Sequence, residues 1–318
     1  MYKTAKNAIY TAFGLNISSD FLLSELKHIS YKDCEADLII KKEDLTTLWT
    51  EYVHTDSYYY IKENFCMVRV PDVAIYKIEN GKTISVSPFA GSSDDQVRLY
   101  ILGTCLGVAL MQRKILPIHG SCITIDGKGY AIVGDSGAGK STLASAFINR
   151  GFQILTDDVV AVTLSKDKIP IVIPSYPQQK LWQESLDQFG IASNQFKPIY
   201  DRETKFSVPV TNYYCDKPMP LAGIFKLSKK DQNEIEILPV QKLERFPAIY
   251  YNTYRNFMLN SFGLIEWHFN FSADMVNRLD FYRIIRPSSR FTANELVDKI
   301  LSVINKRDKL KKGIKLDE

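Results

Sequence analysis

The sequence predicts an α/β protein: a mixed sheet built around a phosphate-binding loop, with a β-rich part in front of it. Three observations carry this. Residues 134–142 read GDSGAGKST, the full G-x-x-x-x-G-K-[ST] pattern. YAIV before it has strand character and STLASAFINR after it has helix character, the context that pattern needs. Residues 1 to about 90 hold short, partly alternating apolar runs separated by turn residues.

The composition agrees. The chain has 318 residues, 45% apolar and 24% charged, enough for a sizeable core. Its 18 Tyr and 17 Phe suit pleated surfaces. A net charge of +4 is too mild to demand a nucleic-acid partner, and none is expected. The five cysteines (Cys34, Cys66, Cys105, Cys122, Cys215) form no C-x-x-C and no closed disulfide framework. The four histidines are equally dispersed, so no zinc spacing appears. Reduced thiols and no apolar leader suit a cytoplasmic protein. The most apolar stretch, YILGTCLGVALM (100–111), is too short to span a bilayer. It reads as a buried helix opened by a capping box, Ser93 with Gln96, and no membrane contact is expected.

In chain order, YTAFGLNI, ADLIIK, YYYIKENFCMVRV and VAIYKIENGKTISVSP are β-rich, and Asn80-Gly81 is a hairpin turn. This gives a β-rich N-terminal domain or layer over 1–92, a P-loop domain over 93–305 and a basic flexible tail over 306–318. SCITI (121–125) joins YAIV through DGKG, so these strands are antiparallel. The helix after the loop stops at Gly151, and FQILT follows as the next strand. An ordinary crossover makes YAIV and FQILT parallel, so both end at one sheet edge. Asp157 and Asp158 close the second strand, and His119 precedes SCITI. One edge thus gathers Lys140, Ser141, His119, Asp157 and Asp158. Later strands are GIFKLS, EIEILPV and FYRIIRP. The last helix, FTANELVDKILSVIN, opens on a Thr292–Glu295 capping box and buries Val297, Ile300, Leu301 and Ile304.

The chemistry follows from residue types. The loop Gly134, Asp135, Ser136, Gly137, Ala138, Gly139, Lys140, Ser141 and Thr142 would turn backbone N–H groups onto a phosphate. The helix adds its positive end. Lys140 supplies a cation for the β- and γ-phosphates, and the Ser141 hydroxyl a ligand for Mg²⁺. One carboxylate of the Asp pair can hold the metal and the other can accept a hydroxyl proton, which suits phosphoryl transfer. The residues leave open which does which. No N-K-x-D-type guanine signal is present, so ATP is the expected donor.

His119-Gly120, GDSGAGKS and Asp157-Asp158, in this order and spacing over residues 117 to 162, resemble the catalytic domain of HPr kinase/phosphorylase. That family shares its fold with phosphoenolpyruvate carboxykinase. The resemblance implies a mixed-sheet P-loop kinase core using ATP and Mg²⁺. It also implies that Asp158 takes the proton from a substrate serine, with His119 and Asp157 in support and Asp157 and Ser141 at the metal. The family's Glu after the P-loop serine is Thr142 here, and its Glu-Ile-Arg-Gly and Gly-Arg-Asn stretches are missing. Asp157 would then carry more of the metal binding. These departures leave phosphorylase activity and an HPr carrier substrate open.

YTAFGLNISSDFLLSEL (10–26) and PQQKLW (177–182) resemble a subgroup of HPr-kinase-like proteins encoded beside lasso-peptide enzymes. This implies phosphorylation of the C-terminal serine of a precursor peptide. Arg202 and Lys205, cations after a Pro-rich loop, are the candidate substrate contacts. Tyr and Phe residues of the N-terminal part are candidates for a peptide groove. Two other functions fit the same motifs: a kinase for free serine, and a non-catalytic nucleotide-binding sensor or scaffold. The sequence leaves the oligomeric state open.

Overall fold

A computed structural model describes residues 4–29, 35–54, 57–200 and 202–311. Cys34 and residues 312–318 of the expected tail lie outside them.

The N-terminal part is one mixed sheet. Its strands are β1 (Thr4–Ala12), β2 (Leu15–Phe21), β3 (Lys27–Ile29), β4 (Leu38–Lys42), β5 (Tyr59–Lys62), β6 (Phe65–Val70), β7 (Ala74–Glu79) and β8 (Thr83–Pro88), in the order β3-β1-β2-β4-β8-β7-β6-β5. A short helix, α1 (Thr46–Tyr52), interrupts it. β7 and β8 meet through Asn80 at φ 54° and Gly81 at φ 62°, the tight turn expected there. YYYIKENFCMVRV divides into β5 and β6, because Glu63 at φ 42° turns the chain between them.

The apolar stretch 100–111 is helical. It runs from α2 (Asp94–Tyr100) through a π-helical segment, Ile101–Cys105, into α3 (Leu106–Gln112). The Ser93–Gln96 capping box is formed in both directions. A helix that is apolar all round must be covered all round. α3 packs on β7 on one side and on β9 (Leu116–Ile125) on the other. The core cluster built on the N-terminal sheet accordingly includes the helix and, beyond it, Val159, Ala161 and Tyr176. Gln112 ends the helix with its amide group buried. It accepts from Gly81 N–H at 2.7 Å and donates to the Ile78 carbonyl at 3.2 Å. We predict that Gln112→Leu, which strands both backbone groups, lowers unfolding stability by about 2 kcal/mol. Urea denaturation measures this, and an unchanged midpoint contradicts it.

The second large sheet surrounds the P-loop. It contains β9, β10 (Lys128–Val133), β11 (Gln153–Thr156), β12 (Val159–Leu164) and β13 (Pro170–Ile173). A small separate sheet follows: β14 (Gln178–Trp182), β15 (Lys197–Ile199) and β16 (Arg202–Pro209), in the order β14-β16-β15. The chain then re-enters the large sheet with β17 (Met219–Lys230), β18 (Glu236–Pro239) and β19 (Asp280–Pro287). β10, β17 and β19 are parallel neighbours, so all three end at one edge. Two helices cover one face of this sheet, α4 (Lys140–Asn149) and, at the end of the chain, a helix over Ala293–Lys311. Between them in sequence come α5 (Gln183–Gln188), α6 (Lys242–Asn252), α7 (Met258–Ser261) and α8 (Ile265–Val276), of which α6 and α8 cover the other face. The Ala293–Lys311 helix is α9. Among the described residues, no helix is long and apolar enough to cross a membrane.

Three local expectations change. YAIV and FQILT do run in the same direction, but β9 lies between them and is antiparallel to both. The Thr292–Glu295 capping box is not made. Thr292 Oγ1 is buried with no partner, and Glu295 is taken by Arg290 at 2.7 Å. α9 buries Val297, Ile300 and Ile304 and half-buries Leu301, and it runs on to Lys311, so residues 306–311 belong to the helix. Arg307 pairs with Asp280, and Asp308 with Lys128 at 3.2 Å. These pairs tie that turn to the sheet.

Candidate active site

The P-loop leaves the end of β10 and enters α4 at Lys140. Lys140 is only 8% exposed, and its Nζ donates to the carbonyls of Gly134 (2.8 Å) and Asp135 (3.0 Å). Burial pushes its pKa below the ordinary lysine range, while Asp157, Asp158 and Asp135 oppose that shift. The cation is therefore held by the loop's own weak dipoles, and a phosphate is a better partner. A side chain added at Gly137 would meet nothing within 4 Å, so the loop opens toward the cleft there.

The aspartate pair does not simply end a strand. β11 and β12 both lie along the same side of β9, and Asp157-Asp158 is the break between them. Asp158 adopts φ 78°, a left-handed conformation uncommon for any residue but glycine. The twist turns two consecutive carboxylates toward the P-loop edge, where an unbroken strand would point them to opposite faces. Backbone strain of this kind gathers at functional sites. His119 is also placed differently from the sequence reading. It lies within β9, opposite Val159, because β12 continues the pairing past the break. Beside it, a Cβ at Gly120 would stand 2.4 Å from the Ile132 carbonyl. Only glycine allows β9 to approach the P-loop strand this closely.

Asp157 is 4% exposed and saturated with donors. Its Oδ1 accepts from Ser121 Oγ (2.5 Å) and Ser141 Oγ (3.0 Å), and its Oδ2 from the Lys180 N–H (2.9 Å). Burial nevertheless raises its pKa, the Asp158 charge adds to that, and the hydrogen bonds only moderate it. A carboxylate short of positive charge beside a hydroxyl is a hard-oxygen donor pair suited to Mg²⁺. Asp157 and Ser141 are thus the oxygen donors that would hold such a metal, in exchange for hydrogen bonds that Asp157 now accepts. Thr142, where the family has Glu, instead shares a hydrogen bond with Ser185 Oγ at 2.8 Å.

Asp158 has different partners. Its Oδ2 accepts from Lys180 Nζ at 2.6 Å, and its Oδ1 lies 3.5 Å from His119 Nδ1. Burial would raise this carboxyl, but Lys180 first and His119 second outweigh it and hold it well below the usual range. His119 Nδ1 lies 3.0 Å from the Asp158 backbone carbonyl. A carbonyl only accepts, so Nδ1 carries the proton. Burial keeps the ring's pKa below its ordinary value, although Asp158 opposes this.

One cleft of about 920 Å³ joins these groups. It contains His119, Lys140, Ser141, Asp157 and Asp158, and also Lys205, whose ammonium lies 5.3 Å from the Trp182 ring centre. The backbone of Arg202 starts β16, while its side chain lies outside the described residues. Exposed rings at the cleft are Trp182, Tyr200, Tyr251, Phe257 and Phe291. Among the described residues no lining residue precedes Leu99, and the exposed rings come from the second half of the chain.

The sequence reading missed Lys180, Ser121 and Arg286. Lys180 lies inside the PQQKLW stretch, and its place beyond a Pro-rich loop was its only signal. Arg286 ends β19 at the P-loop edge and donates through Nε to the Ala138 carbonyl at 3.1 Å.

Fold and site together define an α/β P-loop protein with paired carboxylates beside its loop. Residues 111–181 match the model of the HPr Serine kinase C-terminal domain. The HPr kinase/phosphorylase of Mycoplasmopsis pulmonis is 39% identical over 64 residues, 20% of this chain and 21% of that one. The HPr kinase/phosphorylase of Ralstonia pickettii is 28% identical over 172 residues, 54% of this chain and 46% of that one. The chain thus spans less than half the length of either curated relative. The solved Hpr(Ser) kinase/phosphatase from Coxiella burnetii aligns with 16% identity and a TM-score of 0.33, over 61% of this chain and 98% of that one. By the family-model match, the stretch carrying His119, the P-loop and the aspartate pair is similar to the HPr Serine kinase C-terminal domain.

Proposed function

We propose that this protein is an ATP-dependent kinase that phosphorylates a serine hydroxyl, and that its acceptor is the C-terminal serine of a lasso precursor peptide. The observation that carries the kinase reading is Asp158, ion-paired with Lys180 and placed in the same cleft as Lys140 and the Ser141–Asp157 pair. Lys140 and the loop N–H groups hold the ATP phosphates. Asp157 and Ser141 would hold Mg²⁺, which supplies charge neutralisation at the phosphates when bound. Asp158 accepts the proton of the acceptor hydroxyl, whose oxygen forms a bond to the γ-phosphorus as the bond to ADP breaks. His119 orients Asp158 through its backbone carbonyl.

A peptide acceptor is supported by the five exposed rings and Lys205 at the cleft, more aromatic surface than a free amino acid needs. The lasso assignment rests on the sequence resemblance at 10–26 and 177–182. The test is to incubate the protein with Mg-ATP and a precursor peptide ending in serine, and to weigh the peptide. A gain of one phosphate on that serine is expected. Phosphate appearing on free serine instead would overturn the peptide assignment. ATP binding with no transfer to any acceptor would overturn the kinase reading and leave a sensor.

A further inference from the structure

Arg255 is the one arginine among the described residues with a buried N–H that meets no acceptor. The residue lines the cleft. Its Nη2 donates to Thr104 Oγ1 at 3.2 Å, while its Nε is buried without a partner. No carboxylate among the described residues forms an ion pair with it, whereas Arg98, Arg150, Arg290 and Arg307 each have one. Its backbone adopts φ 53°, a left-handed conformation of the kind that gathers at functional sites.

Short contacts fix this cation beside His119. β12 flanks β9 on one side at His119 and Ile118. On the other side β10 ends where Val133 meets Gly120. Thr253 takes up that side by bridging Ile118, and the Tyr254 N–H donates to the Pro117 carbonyl at 2.8 Å. Along one edge of β9 the order is thus the P-loop strand, His119, and then residues 253–255. The Tyr254 ring centre stands 6.0 Å from that of His119, and the Arg255 guanidinium carbon 5.6 Å from the same Tyr254 centre. Tyr254 packs directly on α3, where a Cβ at Gly107 would stand 2.7 Å from the ring. The π-helical turn Ile101–Cys105 supplies Thr104, and such turns are frequent at functional sites.

A guanidinium with unspent donors, no counter-ion and a place at a cleft is suited to an anion. The nucleotide phosphates already have the loop N–H groups, Lys140 and the start of α4, on the far side of His119. The anion left to place belongs to the acceptor. We propose that Arg255 binds the terminal α-carboxylate of the acceptor peptide, so that the enzyme selects a serine that ends its chain. This deepens the acceptor assignment above and rests on it. A terminal serine carries its hydroxyl and its carboxylate on neighbouring carbons, so a hydroxyl at Asp158 leaves the carboxylate close to the His119–Tyr254 edge. The planar fork of an arginine matches a carboxylate in two hydrogen bonds, which an ammonium does not. An internal serine has no such carboxylate to offer.

The experiment uses one precursor peptide ending in serine, made as the free acid and as the C-terminal amide and labelled at its N-terminus. Fluorescence anisotropy gives the Kd of each form, and mass spectrometry the transfer rate. Wild type is expected to bind the acid about 30-fold more tightly than the amide, the lower range for removing one partner of a hydrogen-bonded charge pair. Arg255→Met should lose this preference and Arg255→Lys should recover part of it, with ATP Kd near wild type in both. Equal wild-type affinity for acid and amide overturns the proposal, and this comparison needs no variant to fold. A preference kept in Arg255→Met, or removed by Lys205→Met instead, overturns it as well. So does a loss of ATP affinity in Arg255→Met that matches the loss for the acid peptide, because the cation would then serve a nucleotide phosphate. The kinase reading fails separately. No transfer to either peptide sinks that reading, while the anisotropy still decides the carboxylate site. Equal transfer to both peptides at equal affinity keeps the kinase and removes the site.

Discussion

Asp158→Asn is expected to reduce phosphoryl transfer by about 10³-fold while leaving nucleotide affinity near wild type, within the range general-base catalysis supplies. Asparagine keeps the shape and can still accept from Lys180, but it cannot take a proton to form a neutral acid. The proposed nucleotide contacts lie elsewhere. Lys140 is held by the loop carbonyls, with Asp157 and Asp135 also offsetting its burial, and Ser141 bonds to Asp157, so neither hydrogen bond is made to the Asp158 side chain. Single-turnover transfer measured beside nucleotide Kd separates the two effects. A variant transferring at the wild-type rate would remove Asp158 from the base role. The pH dependence has a fixed sign. Lys180 and His119 hold the Asp158 carboxyl below the usual carboxylate range, against its burial. The base therefore stays ionised as pH falls from neutral, and wild-type kcat should show no acid limb from this group above about pH 4. An acid limb nearer neutrality belongs to another group. Asp157 is one candidate, since its burial raises its carboxyl.

The site was legible in the sequence wherever short chain segments fix geometry. The Asp126-Gly127 turn forces β9 and β10 antiparallel, and a ten-residue α4 returns the chain to the same sheet. These constraints alone bring His119, Lys140, Ser141 and the Asp pair to one edge. The break at Asp157-Asp158 was half visible. VVAV kept its β character past the pair, but no residue type announces φ 78° at an aspartate. Lys180 and Arg286 arrive through long-range crossings, Lys180 on a separate sheet and Arg286 at the end of β19, more than a hundred residues after the loop. Local periodicity carries no information about such arrivals. The helix caps show the same limit. Ser93–Gln96 forms in both directions, whereas Arg290 draws Glu295 away from Thr292. The oxygen-donor character of Ser141 and Asp157 was readable from the sequence. Saturation of Asp157 by Ser121 and the Lys180 amide was not, since Ser121 is one of many strand serines until the register is known.

Gly134→Ala is expected to abolish nucleotide binding and to lower unfolding stability by about 4 kcal/mol. Two independent penalties meet at this residue. Its φ is 141°, in a region essentially closed to residues with a side chain, which costs of order 1–3 kcal/mol. A Cβ there would also stand 2.2 Å from the Leu227 carbonyl oxygen. That oxygen belongs to the central strand β17, paired on both sides by β10 and β19, and it cannot give way as a surface side chain would. Overpacking against such a wall adds of order 1–3 kcal/mol. The alternative to strain is a displaced loop. Displacement removes the Gly134 carbonyl that holds Lys140 and turns the first N–H groups out of the cradle. Either course damages the phosphate position before any acceptor is involved. Gly137→Ala is the control. That residue is also at positive φ (78°), but its added methyl meets nothing within 4 Å. It should cost only the backbone strain, about 1 kcal/mol. Thermal unfolding and ATP titration of the two variants side by side decide the matter. Equal losses at both positions would mean that contact with β17 does not shape the loop. A Gly134→Ala loss several times larger would mean that the sheet itself sets the geometry in which the phosphates are received.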